Sequence, residues 1–324
     1  MYNPPFSISS KAINLIAKIS AQIERYAIRM EQSDSLKLRK ANRIKTIHSS
    51  LAIEGNNLSE GEVMAILDGK NVIAPQKEIL EVRNAIKTYE LYPTLNPFSI
   101  EDMLKAHLTM MSGLVDEAGM FRRRGVGVFD GTTAVHIAPP ADRVKDLMND
   151  LFIWLENSED HLLIRSCVFH YEFEFIHPFA DGNGRIGRLW QSLILGKLNP
   201  LFEHLPVENM VYANQQAYYD AITQSSAKGD SQPFIDFMLQ EILNALEDRK
   251  GHTVDEIGLA NSLSENEIKI LGLIRSDRHM SAKRLAEEIG ASPRQTERIL
   301  AGLKERSIIR RVGANRNGYW EVIG

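Results

Sequence analysis

Cysteine is almost missing from this sequence: Cys167 stands alone in 324 residues. An intramolecular disulfide is therefore excluded. The thiol falls in the apolar run Cys167-Val168-Phe169, where a buried, inert side chain is expected rather than a nucleophile, and this usage fits a reducing cytoplasm. Long hydrophobic runs are missing as well. Nothing approaches the roughly 20 apolar residues of a membrane span, and the stretch from Met1 to Phe6 lacks the basic and apolar parts of a signal peptide, so no membrane partner is expected. Charge of one sign is equally scarce. With 38 Lys and Arg against 42 Asp and Glu, the formal net charge of -4 creates no global attraction to nucleic acid, and any such contact has to be local. At 44% hydrophobic and 25% charged residues the chain is no disordered tail, and it is long enough for two or three units.

What the sequence does contain is helical periodicity. Between Lys11 and Met30, Ile13, Ile16, Ile19, Ile23 and Tyr26 recur at spacings of three and four, which predicts an amphipathic helix. The polar patch from Glu31 to Ser35 interrupts it. A second helical segment runs through Ile44 and Ile47 to Glu54, and Gly55 suits its left-handed end. Ser59 and Glu62 form a capping box that starts the next helix, over 61–67. Ser50 and Glu54 share a face of the last turn before this corner. A carboxylate there meets the negative end of the helix dipole, a misfit of a few tenths of a kcal/mol (about 0.3), which either solvent or a partner must relieve.

Further helices are predicted over 78–91, stopped by Pro93 to Pro97, and over 100–111, capped by Ser99 with Glu101 and Asp102 in the first turn. Gly119-Met-Phe121-Arg122 then leads to a less regular stretch from Gly125 to Pro140, in which apolar residues flank Asp130-Gly131. That pattern reads as a β-hairpin or as a surface loop with a short ribbon. Helices over 144–155 and 162–175 follow. His170, inside the second, is expected to be a hydrogen-bonded core histidine. Helices over 186–197, 215–224 (with the pair Tyr218-Tyr219) and 234–246 complete this part, and a polar linker covers 247–262.

The densest chemistry lies in the twelve residues His177-Pro-Phe179-Ala-Asp181-Gly182-Asn183-Gly184-Arg185-Ile-Gly187-Arg188. Two glycines flanking an asparagine let successive backbone N–H groups converge into an anion nest, and a helix starting near Arg185 adds its positive end. Arg185 and Arg188, three apart, can both address phosphate oxygens, Asp181 can hold a divalent cation, and His177 is left as a base.

The last 62 residues have a different character. Ser264 with Glu267, Ser281, and Ser292-Pro293 each start a helix, Gly290 turns the chain, and 308–312 and 319–323 read as strands around a loop from Gly313 to Gly318. Helix, helix-turn-helix and ribbon together predict a winged helix. From Leu263 onward 12 Lys and Arg face 8 Asp and Glu, a surplus of +4 against -8 for the rest. Arg294, Arg298, Arg310, Arg311 and Arg316 could contact a DNA backbone, although Glu297 and Glu305 dilute the patch and winged helices also dock proteins.

Taken in order, the residues from His177 to Arg188 resemble without a gap the signature His-x-Phe-x-(Asp/Glu)-Gly-Asn-Gly-Arg-x-x-Arg of the Fic family of protein adenylyltransferases. The resemblance implies a mainly α fold: an N-terminal helical region over 1–92 with an inhibitory motif, a Fic core over 93–246 with a β-hairpin flap, and, past the linker, the winged helix over 263–324. It implies transfer of AMP from ATP to a Ser, Thr or Tyr hydroxyl of a target protein or of the chain itself, with His177 as base and Asp181 holding Mg²⁺. Gly182, Asn183, Gly184, Arg185, Gly187 and Arg188 would receive the nucleotide's phosphates, with Val128, Gly131, Tyr218 and Tyr219 as further nucleotide contacts. Members of the Doc branch carry a lysine where Gly184 stands, so the open position favours AMP transfer. Ser50-Leu-Ala-Ile-Glu54-Gly55 resembles the family's inhibitory motif (Ser/Thr)-x-x-x-Glu-(Gly/Asn), whose glutamate pairs with the second arginine, here Arg188, and blocks the γ-phosphate. The flap near 126–137, ending in Ala138-Pro139-Pro140, would hold the target segment by β-strand addition. A homodimer is among the expectations. The alternatives are removal of AMP with Glu54 orienting water, another nucleotidyl or phosphoryl transfer on the same fold, and an ATP-sensing DNA-binding regulator.

Overall fold

Two helices with apolar side chains on nearly every face lie at the centre of the protein, because a helix without a polar face has to be enclosed. The computed structural model describes residues 2–30, 35–130, 133–205, 207–248, 265–305, 309–312 and 319–322. Its helices run Ser10–Met30 (α1), Ser35–Ile53 (α2), Glu60–Leu67 (α3), Gln76–Leu91 (α4), Ile100–Met111 (α5), Val144–Asn157 (α6), Leu162–Ile176 (α7), Asn183–Leu198 (α8), Val207–Ala213 (α9), Gln215–Lys228 (α10) and Gln232–Asp248 (α11). The central pair is α7 and α8, buried along almost their whole lengths. Around it α1 packs on α11, α11 on α7 and α10, α4 on α5, and α6 on α7. Phe169, Phe173, Phe179, Trp190 and Phe234 fill the space between them and are fully buried.

Local signals place the ends of these elements. Ser59 and Glu62 make the reciprocal capping box of α3, the Ser99 hydroxyl accepts from the Asp102 N–H, and Gly55 takes φ +87° after α2. The expected stripe of α1 needs a correction. Ala12, Leu15, Ile19 and Ile23 are its buried face, whereas Ile13 is 60% exposed, because the face that meets α11 is set one position earlier than the isoleucines alone suggest. The chain ahead of α1 is held by side-chain bonds: the Tyr2 hydroxyl donates to Glu172 at 3.0 Å, and the Ser9 hydroxyl donates to Asp236 at 2.6 Å.

The irregular stretch after α5 forms a hairpin of Gly127–Asp130 (β1) and Thr133–Ile137 (β2), antiparallel, with Val128 opposite His136 and a register shift between Val128 and Phe129. Gly131 lies outside the described residues. The chain divides into two compact units, residues 1–32 with 42–248, and residues 33–41 with 249–324. In the second, Glu265–Ser276 (α12), Ala282–Ile289 (α13) and Pro293–Glu305 (α14) are followed by the antiparallel strands Ile309–Val312 (β3) and Tyr319–Val322 (β4). Ile270, Ile274, Leu285, Leu300, Leu303 and Ile309 form its own small core. The loop 313–318, with Arg316, and most of the expected linker lie outside the described residues. Among those described, no helix is long and apolar enough to cross a membrane.

Candidate active site at the α7–α8 turn

His177 ends α7 in the left-handed region, at φ 50° and ψ 62°, the one residue other than glycine among those described with a positive φ. Such a backbone costs on the order of 1–3 kcal/mol and persists only where its surroundings impose it. Here they do. The His177 N–H donates to the Phe173 carbonyl at 2.9 Å, and its own carbonyl accepts from Arg122 Nε at 2.7 Å. The ring's Nδ1 stands 3.3 Å from the Glu174 carbonyl. A proton on Nδ1 donated to that oxygen makes Nε2 the nitrogen of the ring that carries the lone pair, as a base requires.

The turn that follows is braced from several sides. Asn183 accepts from the Phe179 N–H at 2.8 Å and donates to the Phe179 carbonyl at 2.9 Å, so its side chain serves the loop and only its backbone remains for an anion. Gly182 takes φ +84°, and a Cβ there would stand 2.7 Å from Met111 Sδ, so both conformation and space require glycine. His107, from α5, stacks on Phe179 at 3.7 Å between ring centroids. Its Nδ1 accepts from the Gly119 N–H at 2.8 Å, which fixes the proton on Nε2, 3.0 Å from the Asp181 carbonyl. Burial lowers the His107 pKa to about 4, so the ring is neutral at ordinary pH.

The two arginines turn to different partners. Arg185 donates to Asp181 at 3.1 Å and lies 3.9 Å from Glu81. Arg188 reaches α2: Nη2 donates to Glu54 Oε1 at 2.8 Å and to the Ser50 carbonyl at 2.9 Å, and Nε donates to the Ser50 hydroxyl at 3.3 Å. Burial alone would lower the arginine's pKa, but Glu54, together with Tyr218 and Glu174, outweighs it and the net shift is upward. The partner that the Glu54 misfit requires is therefore Arg188, 134 residues away in sequence. The Glu54 oxygen also lies over the first turn of α8. A Cβ on Gly184 would stand 2.5 Å from it, so glycine at 184 and the Glu54–Arg188 pair depend on each other. An anion already sits where the helix N-terminus and a guanidinium converge.

Gly187, expected among the nucleotide contacts, faces α7 instead, where a Cβ would meet Glu174 Oε1 at 2.6 Å. That oxygen is buried and has no hydrogen-bond partner among the described residues, and burial raises the Glu174 pKa to about 7. Of the aromatic pair, Tyr218 is a core residue, with its hydroxyl 3.0 Å from His170 Nε2, while Tyr219 is 44% exposed, so any contact with a base falls to Tyr219. His170 is fully buried between Tyr218 and Gln191, as a core histidine should be. Val128 lies in β1, where its backbone pairs with His136.

Asp181 is suited to a hard cation: its carboxylate is 53% exposed and engaged on one oxygen, by the Gly182 N–H and Arg185. Among the described residues no cluster of three His, Cys, Asp or Glu could hold a metal unaided. A magnesium ion would consequently take Asp181 with phosphate oxygens and water, its usual arrangement. No local pattern in the sequence marks His107, Arg122 or Glu174. Phe121-Arg122 was visible as a dipeptide, but its partner carbonyls include one 55 residues away that no local pattern connects to it.

Comparison with known proteins gives a consistent picture. The family model for the Fic/DOC family matches residues 97–195. The protein adenylyltransferase fic-1 of Caenorhabditis briggsae is 30% identical over 253 residues, 71% of this chain and 47% of that protein. The protein adenylyltransferase Fic of Aedes aegypti is 32% identical over 210 residues, covering 60% and 39%. The chain thus spans less than half the length of these curated relatives. Among solved structures, a Fic family protein from Desulfovibrio desulfuricans G20 superposes with a TM-score of 0.74 at 41% identity, covering 100% of this chain and 99% of that one. Fic-1 from C. elegans superposes at 0.59 with 20% identity, covering 78% and 74%, a likeness of fold.

Proposed function

The chain belongs to the Fic family, and from that membership and the geometry of the α7–α8 turn we propose that it is a protein adenylyltransferase held inactive by Glu54. The target hydroxyl attacks the α-phosphorus of ATP, the bond from that phosphorus to the bridging oxygen breaks, and pyrophosphate leaves. His177 takes the hydroxyl proton on Nε2, positioned by the Nδ1 contact to the Glu174 carbonyl. The N–H groups opening α8 and the guanidinium of Arg188 receive the β- and γ-phosphates, so that the site acts by placement and charge rather than by a covalent intermediate. Magnesium on Asp181 would neutralise the phosphates and orient the leaving group.

The single observation that carries the inhibitory part is the 2.8 Å bond between Arg188 and Glu54, because one buried guanidinium cannot serve that carboxylate and a γ-phosphate together. Replacing Glu54 by Gly is expected to raise incorporation of AMP from α-labelled ATP tenfold or more, on the order of a coupling of 1–3 kcal/mol, and His177→Ala in that background to abolish it. An unchanged Glu54→Gly rate would discard the inhibitory role. Labelled GTP and UTP, and a target already carrying AMP, separate this reading from other nucleotidyl transfers and from AMP removal.

The hairpin is the proposed holder of the target. Among the described residues it is a two-stranded sheet, so an outer edge can add a third strand through backbone bonds. The second unit has the element order of a winged helix. Its exposed cations Arg294 and Arg298, with Arg311 stacked 4.8 Å over Trp320, favour a docking module. Salt-dependent binding of the full chain to duplex DNA would assign that module to nucleic acid, and no binding at low salt would assign it to protein. A reducing cytoplasm is the proposed compartment. It accords with Cys167, fully buried, its thiol pushed up to about 12 by that burial.

A further inference from the structure

Arg122 donates to four backbone carbonyls. Nε reaches the His177 carbonyl at 2.7 Å, Nη1 the Arg124 carbonyl at 2.9 Å, and Nη2 the carbonyls of Pro139 at 2.6 Å and Ile176 at 3.2 Å. The Arg122 N–H adds a bond to the Pro178 carbonyl at 2.9 Å. Two of these acceptors are the last carbonyls of α7, which have no partner within the helix and lie at its negative end. The other two lie at the feet of the hairpin, Arg124 just before β1 and Pro139 just after β2. One planar guanidinium therefore joins both feet of the flap to the residue that would act as base.

We propose that Arg122 is a positioning residue that locks the hairpin and His177 into one rigid piece, so that a hydroxyl held on the flap arrives in register with Nε2. The inference rests on the transferase reading above and adds to it the part that aligns target with base. Arg122 is 2% exposed and, among the described residues, forms no ion pair, so its charge is met by carbonyl dipoles alone. Burial correspondingly pulls its pKa down from the ordinary arginine value. Four of its five N–H groups are spent on the backbone, which leaves no pair to grip a phosphate and separates its role from that of Arg188. A lysine cannot substitute. Its ammonium is a point donor with three N–H groups and cannot span acceptors spread around a plane.

The test uses the full chain with Glu54→Gly, comparing the parent with Arg122→Lys and Arg122→Gln by amide exchange, by NMR titration of the ¹⁵N-labelled His177 ring, and by AMP transfer. In the parent, amides of the hairpin feet and of the turn after His177 should open with the same free energy and denaturant dependence. In Arg122→Lys, exchange in both segments should rise together by about tenfold or more, on the scale of one or two lost hydrogen bonds, with α6 and α11 unchanged. The His177 titration should shift, and kcat for AMP transfer should fall by about 100-fold, the scale of an ångström-sized misplacement, with KM for ATP within about threefold. Unequal opening in the parent, a rise in one segment only, or full kcat in Arg122→Lys would overturn the proposal. If the parent transfers no AMP, the transferase reading fails, and the exchange and titration data still decide the role of Arg122. If Arg122→Gln fails to fold, the parent's opening energies and Arg122→Lys decide it.

Discussion

At the scale of single residues, the proposed inhibition is a contest for one guanidinium. Arg188 is almost fully buried, and breaking a buried pair by removing one partner leaves a charge to be satisfied by something else. In the proposed reaction that something is the γ-phosphate. Ser50 holds the same side chain through its hydroxyl and its carbonyl, so Ser50→Ala removes the weaker of the two contacts and retains the backbone one. AMP incorporation by Ser50→Ala should rise about two- to fivefold, the worth of one modest hydrogen bond, and remain well below that of Glu54→Gly. A second residue-scale consequence concerns Glu208, buried beside Tyr89 and Ser192, whose pKa burial raises to about 7. The raised value means that the folded state holds the proton more tightly than the unfolded one. The resulting stability is fully present below the unfolded carboxyl pKa and is lost as pH rises through about 7. Glu208→Gln removes that dependence. Relative to the parent its unfolding free energy should rise between pH 5 and pH 8, by on the order of 2 kcal/mol, as read by urea titration at the two pH values. A constant difference would show that Glu208 ionises freely in the fold.

At the scale of elements, helix ends place the chemistry. α7 delivers His177 in a left-handed cap, α8 opens six residues later at Asn183, and the α2–α3 corner presents Glu54 to Arg188 of α8. Serine caps were readable in advance. Ser59 and Ser99 are where they were expected because capping is a local bond between residues two or three apart. Ser59→Ala should lower stability by about 1 kcal/mol, a typical cap, seen as a lower urea midpoint with an unchanged slope. Since α3 fixes the corner after Gly55, the proposed inhibition implies that the same variant should raise basal AMP incorporation slightly; an unchanged rate with the full loss of stability would detach α3 from the Glu54–Arg188 contact. The face of α1 was less readable. Ile13 and Ile19 are chemically alike, and only the position of α11 decides that the first is exposed and the second enclosed.

At the scale of the whole molecule, the chain carries two cores of very different size, one spanning all eleven helices around α7 and α8 and one built on a handful of residues from Ile270 to Ile309. A core of that second size supplies little stability by itself. Calorimetry of the full chain should accordingly resolve two transitions, with the smaller at lower temperature. ATP with magnesium should raise only the larger, by several degrees at concentrations 100-fold above its Kd, about 2.7 kcal/mol of linkage, and more in Glu54→Gly than in the parent. A shift of both transitions together would mean that the units unfold as one.

Much of the chemistry was legible in twelve consecutive residues. A glycine-rich turn, a helix N-terminus, an imidazole and two guanidiniums are local objects, and their order along the chain fixes their order in space. The sequence by itself determined the helical periodicity, the Ser59 and Ser99 caps and the motif from His177 to Arg188, and it left the stretch around Asp130 open between a hairpin and a loop. The tertiary structure alone decided the rest. It sent Arg188 to Glu54 and Arg185 to Asp181 although the two arginines are three residues apart, and it gave Asn183 to the loop, Gly187 to the α7 contact and Tyr218 to the core. It also gathered onto Arg122, beside the neighbouring Arg124 carbonyl, three carbonyls from two distant segments. Each of these outcomes depends on which surface arrives opposite a side chain after helices pack, and no spacing along one segment records that.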